Sequence, residues 1–165
     1  MDELSPTQPA SFSGRMQLQA EALLADMAQT TVLRFSGIYR EGKYRLLERI
    51  KQGDISQTIT PNPYSNRIHV DDCVGALAHL ILRSEQGLPV DALYLASDCL
   101  PVRYSDLVTW LAEKSGFALN KAGVSAIGRA GSKRCSNQRL LASGYRFLYP
   151  DYQHGLHAHV LACKP

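Results

Sequence analysis

The chain has 165 residues, 45% of them apolar and 20% charged, which is globular composition and excludes a disordered polyelectrolyte. That length holds one domain with a real core and not two comfortable ones. A formal charge of +3, from 18 basic and 15 acidic residues, is too small to argue for nucleic acid. The longest apolar run, Val74 to Leu82, is interrupted by His79 and is too short to span a bilayer.

In chain order, Ser13 is the expected N-cap of a first helix, with Met16, Leu18, Ala20, Leu23, Leu24 and Met27 near helical spacing and an end near Gln29. The β-branched run Thr30 to Phe35 predicts a buried strand ending at Ser36-Gly37. Gly42 to Lys51 predicts a basic amphipathic helix with Leu46, Leu47 and Ile50 inward and Gly53 as its stop. Thr60 to Pro63 is a loop, and Arg67 to Val70 a short extended segment. Asp71 and Asp72 then cap a helix to about Ser84, where acids suit the positive end of the helix dipole.

Ala92 to Ala96 is a second strand, ended by Ser97-Asp98, and a third clear helix runs from Tyr104 to Ser115, with Leu107, Val108, Leu111 and Ala112 inward and Gly116 as stop. Asn120 to Gly131 is rich in Gly, Ala and Ser and predicts a surface connection. Ser136 is the expected cap of a short helix to Ser143. From Tyr145 onward little periodicity is legible, and 153–165 reads as a tail. The alternation is α/β. Two strands are too few for a parallel sheet that stands alone, so the sheet is expected to be incomplete.

Several clusters invite chemical readings. His69 with Asp71 and Asp72 suggests a catalytic or metal corner, against a plain strand-to-helix corner held by capping bonds. Lys133, Arg134 and Arg139, with Arg129 nearby, form a basic cluster that either holds a phosphate or is a solvated face. His154, His157 and His159 lack a carboxylate or Cys at ligand spacing, so no metal is expected. Cys73, Cys99, Cys135 and Cys163 form no Cys-x-x-Cys pair and, with no signal peptide legible, read as reduced thiols of a cytoplasmic protein.

The opening, Asp2-Glu3-Leu4-Ser5-Pro6 followed by Gly14 to Glu21, resembles the catalytic-helix entrance of the extended short-chain dehydrogenase/reductases, the NAD-dependent epimerase/dehydratase family. Four further segments resemble that family in the same order: Val32 to Tyr39, Asn66 to Asp72, Leu93 to Tyr104, and Lys133 to Asn137 with Gly144-Tyr145 and Tyr149-Pro150. The last is similar to one atypical branch, loosely nucleoside-diphosphate-sugar epimerase-like. The resemblance implies an α/β fold, the C-terminal, substrate-side half of a Rossmann-like NAD(P)-binding fold, over residues 1–152. The Gly-x-Gly-x-x-Gly phosphate loop does not occur in this sequence, so the dinucleotide-binding half is expected upstream.

Laying Ala20-Glu21 on the family's Ala-Glu puts Ser13 at the catalytic Tyr position and Gln17 at the Lys position. Ser13 has too high a pKa to replace the Tyr without a base, and Gln17 has no charge with which to depress a neighbour's pKa. Ser11 and Tyr39 are stand-ins that no spacing singles out. By the same resemblance Phe35, Ser36 and Gly37 face NAD or NADP, and Asn66, Arg67 and His69 face the substrate, a sugar nucleotide or small carbonyl compound. No nucleic-acid or membrane partner is implied. A homodimer through the Ser13 to Gln29 helix is. The competing expectation is a non-catalytic NAD(P)-binding sensor or interaction protein of the same fold.

Overall fold

The computed structural model describes residues 1–27, 29–40, 42, 44–125 and 132–162. Helix α1 spans Phe12–Ala25 and is capped by Ser11, whose Oγ accepts from Gly14 N–H at 3.1 Å. Ser13, the expected cap, already lies in the first turn, because a cap needs the extended backbone that Ser11 has (φ −91°, ψ 154°). The helix also stops four residues before Gln29, which takes a positive φ of 65°.

Strand β1, Val32–Phe35, pairs in parallel with β6, Leu93–Ala96, in the register Val32 to Leu93 and Phe35 to Ala96. The parallel pairing matches the expectation; the burial does not. All of β1 is half-buried, since β6 is its one strand partner among the described residues. On the far edge of β6, side chains take the place of a strand. Leu95 N–H donates to the Glu3 carboxylate at 2.8 Å, and the Arg139 guanidinium donates to Leu93 C=O at 3.0 Å.

The chain does not leave the sheet at Ser36-Gly37. It continues as β2, Gly37–Tyr39, which pairs in parallel with β5, Arg67–His69. Ser36 N–H still bonds to Ala96 C=O, whereas Gly37 N–H bonds to Asn66 C=O, so the partner changes at Gly37. A Cβ there would stand 3.1 Å from the Asn66 carbonyl oxygen, and glycine admits that approach. Three more short strands join the fold: β3, Ser56–Ile59; β4, Tyr64–Ser65; and β7, Val102–Arg103, antiparallel to β4. Residues 120–125, expected as a connection, form β8, Asn120–Ser125, parallel to β3. Residues 126–131 of that stretch, with Arg129, lie outside the described residues, as does Cys163.

Helices α2, Arg45–Lys51, and α4, Tyr104–Ser115, bury the apolar positions expected of them, and α4 ends at Gly116 with a φ of 79°. Helix α3, Val70–Glu85, is capped by His69 rather than by an aspartate: His69 Nδ1 accepts from Asp71 N–H at 3.3 Å. Helix α5, Gln138–Ala142, begins after Asn137 and not after Ser136. The expected tail at 153–165 is instead α6, Tyr152–Ala162, with Leu156 and Val160 fully buried. Tyr152, Leu156 and Val160 recur every fourth residue, but Gly155 and the histidines between them mask the stripe.

Two apolar clusters result. Residues from α3, α5, β5 and β6 form one, around Ile68, Ala76, Tyr94 and Leu140. Those from α2, α4 and α6 form the other, around Leu47, Leu107, Leu111 and Leu156. Helix α1 buries none of its residues. No described helix is long and apolar enough to cross a membrane.

Candidate functional site

A cleft of about 660 Å³ lies between α1, the Thr7 to Pro9 loop and the β1–β2 strand. Its walls include Gln17, Glu21, Arg34, Phe35, Ile38 and Lys133. That volume is within the range of small-molecule sites. An apolar seam does not hold α1 over this cleft; a forked ion pair does. Arg34 Nε donates to Glu21 Oε1 at 2.9 Å and Nη2 to Oε2 at 2.5 Å. The bidentate geometry fixes direction as well as distance, and the bond to Glu21 raises the Arg34 pKa above its ordinary value.

The two α1 positions separate. Gln17 lines the cleft beside Phe35, while Ser13 is exposed one turn earlier and is not among the lining residues. Neither stand-in supplies a phenol of lowered pKa. Ser11 is used as the cap, and Tyr39 is buried with its hydroxyl toward Asp151 C=O at 3.5 Å. Burial, helped by Asp98, pushes the Tyr39 phenol upward, the wrong direction for a proton carrier.

Ser36 is not among the cleft-lining residues, and its buried Oγ has no partner among the described residues. The half-buried Asn66 side chain is tied to the segment that follows β8. Its amide donates to Lys133 C=O at 2.7 Å and its oxygen accepts from Cys135 N–H at 2.8 Å, a bracket that sets the 133–135 segment beside the cleft. Arg67 and His69 belong to a second, interior group where β2, β5 and β6 end. There the Arg67 guanidinium lies 5.4 Å from the Tyr44 ring centre, and His69 lies 4.0 Å from Tyr149 and 5.2 Å from Tyr39. Arg67 Nε, His69 Nε2, Tyr44 Oη and Asp98 Oδ2 are all buried without a partner among the described residues. No signal in the sequence ties Asp98 to this group; the meeting of the strand ends does.

Asp98 makes the group sensitive to pH. Burial lifts its carboxyl from 3.8 to about 7, against the opposing Leu100 N–H bond and the Arg67 charge. The folded state thus holds this proton more tightly than the unfolded chain does. The stabilisation is complete below about pH 4 and is lost as the pH rises through about 7. We expect the urea midpoint of unfolding to fall from about pH 5 to about pH 7.5. Asp98→Asn, which imitates the protonated acid, should flatten that slope, and an equal slope in the variant would assign the effect to other groups.

Arg139 leaves the expected basic cluster. It spans Leu93 C=O and Glu3, 3.8 Å from the carboxylate, and so serves the edge of β6. At the start of α6, His154 pairs with Asp151 at 2.8 Å. Among the described residues no three His, Cys, Asp or Glu side chains stand where they could hold a metal ion. Cys73, Cys99 and Cys135 are free thiols.

The sequence matches no family model and no curated protein. Solved structures do match. A Methylobacillus flagellatus protein described as an NAD-dependent epimerase/dehydratase is 39% identical, with a TM-score of 0.83, over 98% of this chain and 57% of its own. A Silicibacter pomeroyi protein of unknown function is 27% identical, with a TM-score of 0.80, over 100% of this chain and 61% of its own. The Thermus thermophilus UDP-glucose 4-epimerase, solved with NAD, shares the fold at 19% identity and a TM-score of 0.75, over 97% and 56% of the two chains. The present chain therefore spans a little over half the length of the structures it matches. With its parallel β1–β6 pair and flanking helices, the chain is similar over nearly its whole length to an NAD-dependent epimerase/dehydratase and corresponds to the C-terminal part of that Rossmann-like fold.

Proposed function

We propose that this chain is the substrate-side part of a cytoplasmic NAD(P)-dependent epimerase/dehydratase-like protein acting on a sugar nucleotide or small carbonyl compound. The α1–β1 cleft carries the reading, because Gln17, at the family's Lys position, and Phe35, which the resemblance sets against the cofactor, share its walls. An aromatic face and a neutral amide suit the flat, amide-bearing nicotinamide, which supplies hydride transfer when bound. Gln17 offers hydrogen bonds, Phe35 gives an apolar wall, and the Glu21–Arg34 fork holds α1 at its distance from the strand. The pyrophosphate cradle is proposed to lie in the remaining part of the fold. The implied homodimer would use α1, whose Phe12, Leu23 and Leu24 are exposed.

One observation favours a non-catalytic NAD(P)-binding member as the second reading. Gln17 carries no charge and Ser13 stands outside the cleft wall, so no side chain here repeats the Tyr and Lys pair.

A chimera tests both. The chain alone is expected to bind NADH no tighter than millimolar. Joined to the unmatched N-terminal part of the Methylobacillus flagellatus protein, it should bind at micromolar level by calorimetry. If carbonyl reduction or epimerisation is then detected, Ser13→Tyr with Gln17→Lys should raise it roughly a hundredfold. Micromolar binding by the chain alone would overturn the partial-site reading. A folded chimera that binds no NADH or NADPH would overturn the cofactor-side assignment of the cleft.

A further inference from the structure

From Leu4 to Thr30 the chain forms a long arm anchored at both ends. At one end the Glu3 carboxylate accepts from Leu95 N–H at 2.8 Å, and at the other Thr31 Oγ1 donates to Asp91 C=O at 3.2 Å. Between these anchors, among the described residues, the Glu21–Arg34 fork is the one polar tie from the arm to the rest of the fold. The arm's other side-chain bonds are local, such as Gly14 to Ser11, Arg15 to Ala10 and Thr30 to Met27.

Packing adds little to that tie. Helix α1 buries none of its residues, and Gly14, Leu18 and Glu21, the half-buried ones, all line the cleft. Lifting the helix away therefore uncovers little apolar surface, and the cost of such a local opening falls on the fork. A bidentate pair sets distance and direction, but with side chains 29% and 24% exposed it is within reach of screening by salt. A helix of 14 residues is marginal on its own, so α1 released from the strand also frays. Gln29, with its positive φ of 65°, places a turn between α1 and the Thr31 anchor.

We propose that α1 is a lid on the α1–β1 cleft and that the Glu21–Arg34 fork is its latch. Closed, α1 walls the cleft with Gln17 and Leu18; open, it swings on the Glu3 and Thr31 anchors and clears the way to Phe35. The inference rests on the geometry of the cleft and not on what fills it. Hydrogen exchange of the full chain without ligand tests it, read by mass spectrometry for α1 against the buried helix α4. Arg34→Gln should speed exchange across Leu18 to Ala25 roughly tenfold and leave α4 unchanged. Arg34→Lys, which keeps the charge without the fork, should fall between. Raising sodium chloride from about 0.1 M to about 1 M should speed α1 exchange in wild type severalfold and leave Arg34→Gln unmoved. Glu48→Gln, which breaks an ion pair on α2, should leave α1 as in wild type. Three results overturn the proposal. Equal α1 exchange in wild type and Arg34→Gln would show that the fork holds nothing. Joint acceleration of α1 and α4, in the variant and in salt alike, would show that α1 opens only with the whole fold. Protection of α1 that rises with protein concentration and ignores Arg34→Gln would show that a second copy holds it. Each leaves the cofactor-side reading of the cleft standing, because that reading is tested with NADH on the chimera.

Discussion

Asp72→Ala is expected to remove about 3–5 kcal/mol of stability, a large share of what a domain this size has. Asp72 lies in the first turn of α3, fully buried. Its Oδ1 accepts from Tyr145 Oη at 2.8 Å and Leu148 N–H at 2.7 Å, and its Oδ2 accepts from Tyr149 N–H at 2.9 Å. One carboxylate thus folds the 145–149 turn onto α3 and sets the Tyr149 ring against His69. Alanine leaves two peptide N–H groups without acceptors and leaves the Tyr145 phenol only its longer bond to Asp72 C=O, at 3.2 Å, and each buried orphan costs about 1–3 kcal/mol. Asn keeps the shape but turns an NH₂ toward a donor, so Asp72→Asn should retain most of the loss. Tyr145→Phe removes one bond and should cost about 1–2 kcal/mol. Denaturant midpoints at unchanged m-value measure all three. An Asp72→Ala midpoint within about 1 kcal/mol of wild type would show that the turn is held by other contacts.

A second large effect is expected where α6 crosses β2. A Cβ built on Gly155 would stand 2.8 Å from Tyr39 Cζ and 2.9 Å from Cε2, and closer still to Oη. Tyr39 is itself buried, between His69 and Tyr44, and cannot swing aside. Gly to Ala inside a helix ordinarily stabilises by about 1 kcal/mol, while overpacking a core costs about 1–3 kcal/mol. Gly155→Ala should therefore be destabilising, opposite in sign to its helix propensity, and Gly155→Val more so. Tyr39→Phe alone should be mild, since its one bond, to Asp151 C=O, is 3.5 Å long. In the Gly155→Ala background the same change removes the nearest atom and should recover part of the loss. A neutral or stabilising Gly155→Ala, or strict additivity in the double variant, would mean that α6 does not sit against Tyr39.

Helix α4 was legible from end to end, because Leu107, Val108, Leu111 and Ala112 recur at helical spacing and Gly116 adopts the left-handed stop. The same periodicity gave α2 its inward face, and the apolar runs 32–35 and 93–96 read as strands. Strands β3, β4, β7 and β8 were not legible. They are two to six residues long, and polar residues such as Gln57, Thr58, Asn120 and Lys121 show no alternation. Their order comes from a partner far along the chain. Helix α6 was missed for another reason: Gly155 is there to admit Tyr39, and that contact is absent from any local window.

The site divides along the same line. Residue types alone determined that Gln17 and Ser13 cannot act as a Lys and a Tyr, since charge and acidity belong to the side chain wherever it stands. The family likeness of the ordered motifs was also present in the sequence. Only the tertiary structure decided that Gln17 meets the cleft and Ser13 does not, and that Arg139 serves a strand edge. It also decided that Asn66 brackets residues 133–135 and that Arg103 and Arg134 share one ring. The physical reason is range. Helical periodicity and caps act over a few residues, whereas the bonds from Asn66 to Cys135 and from Leu95 to Glu3 join positions 69 and 92 residues apart, which come together only when the chain folds.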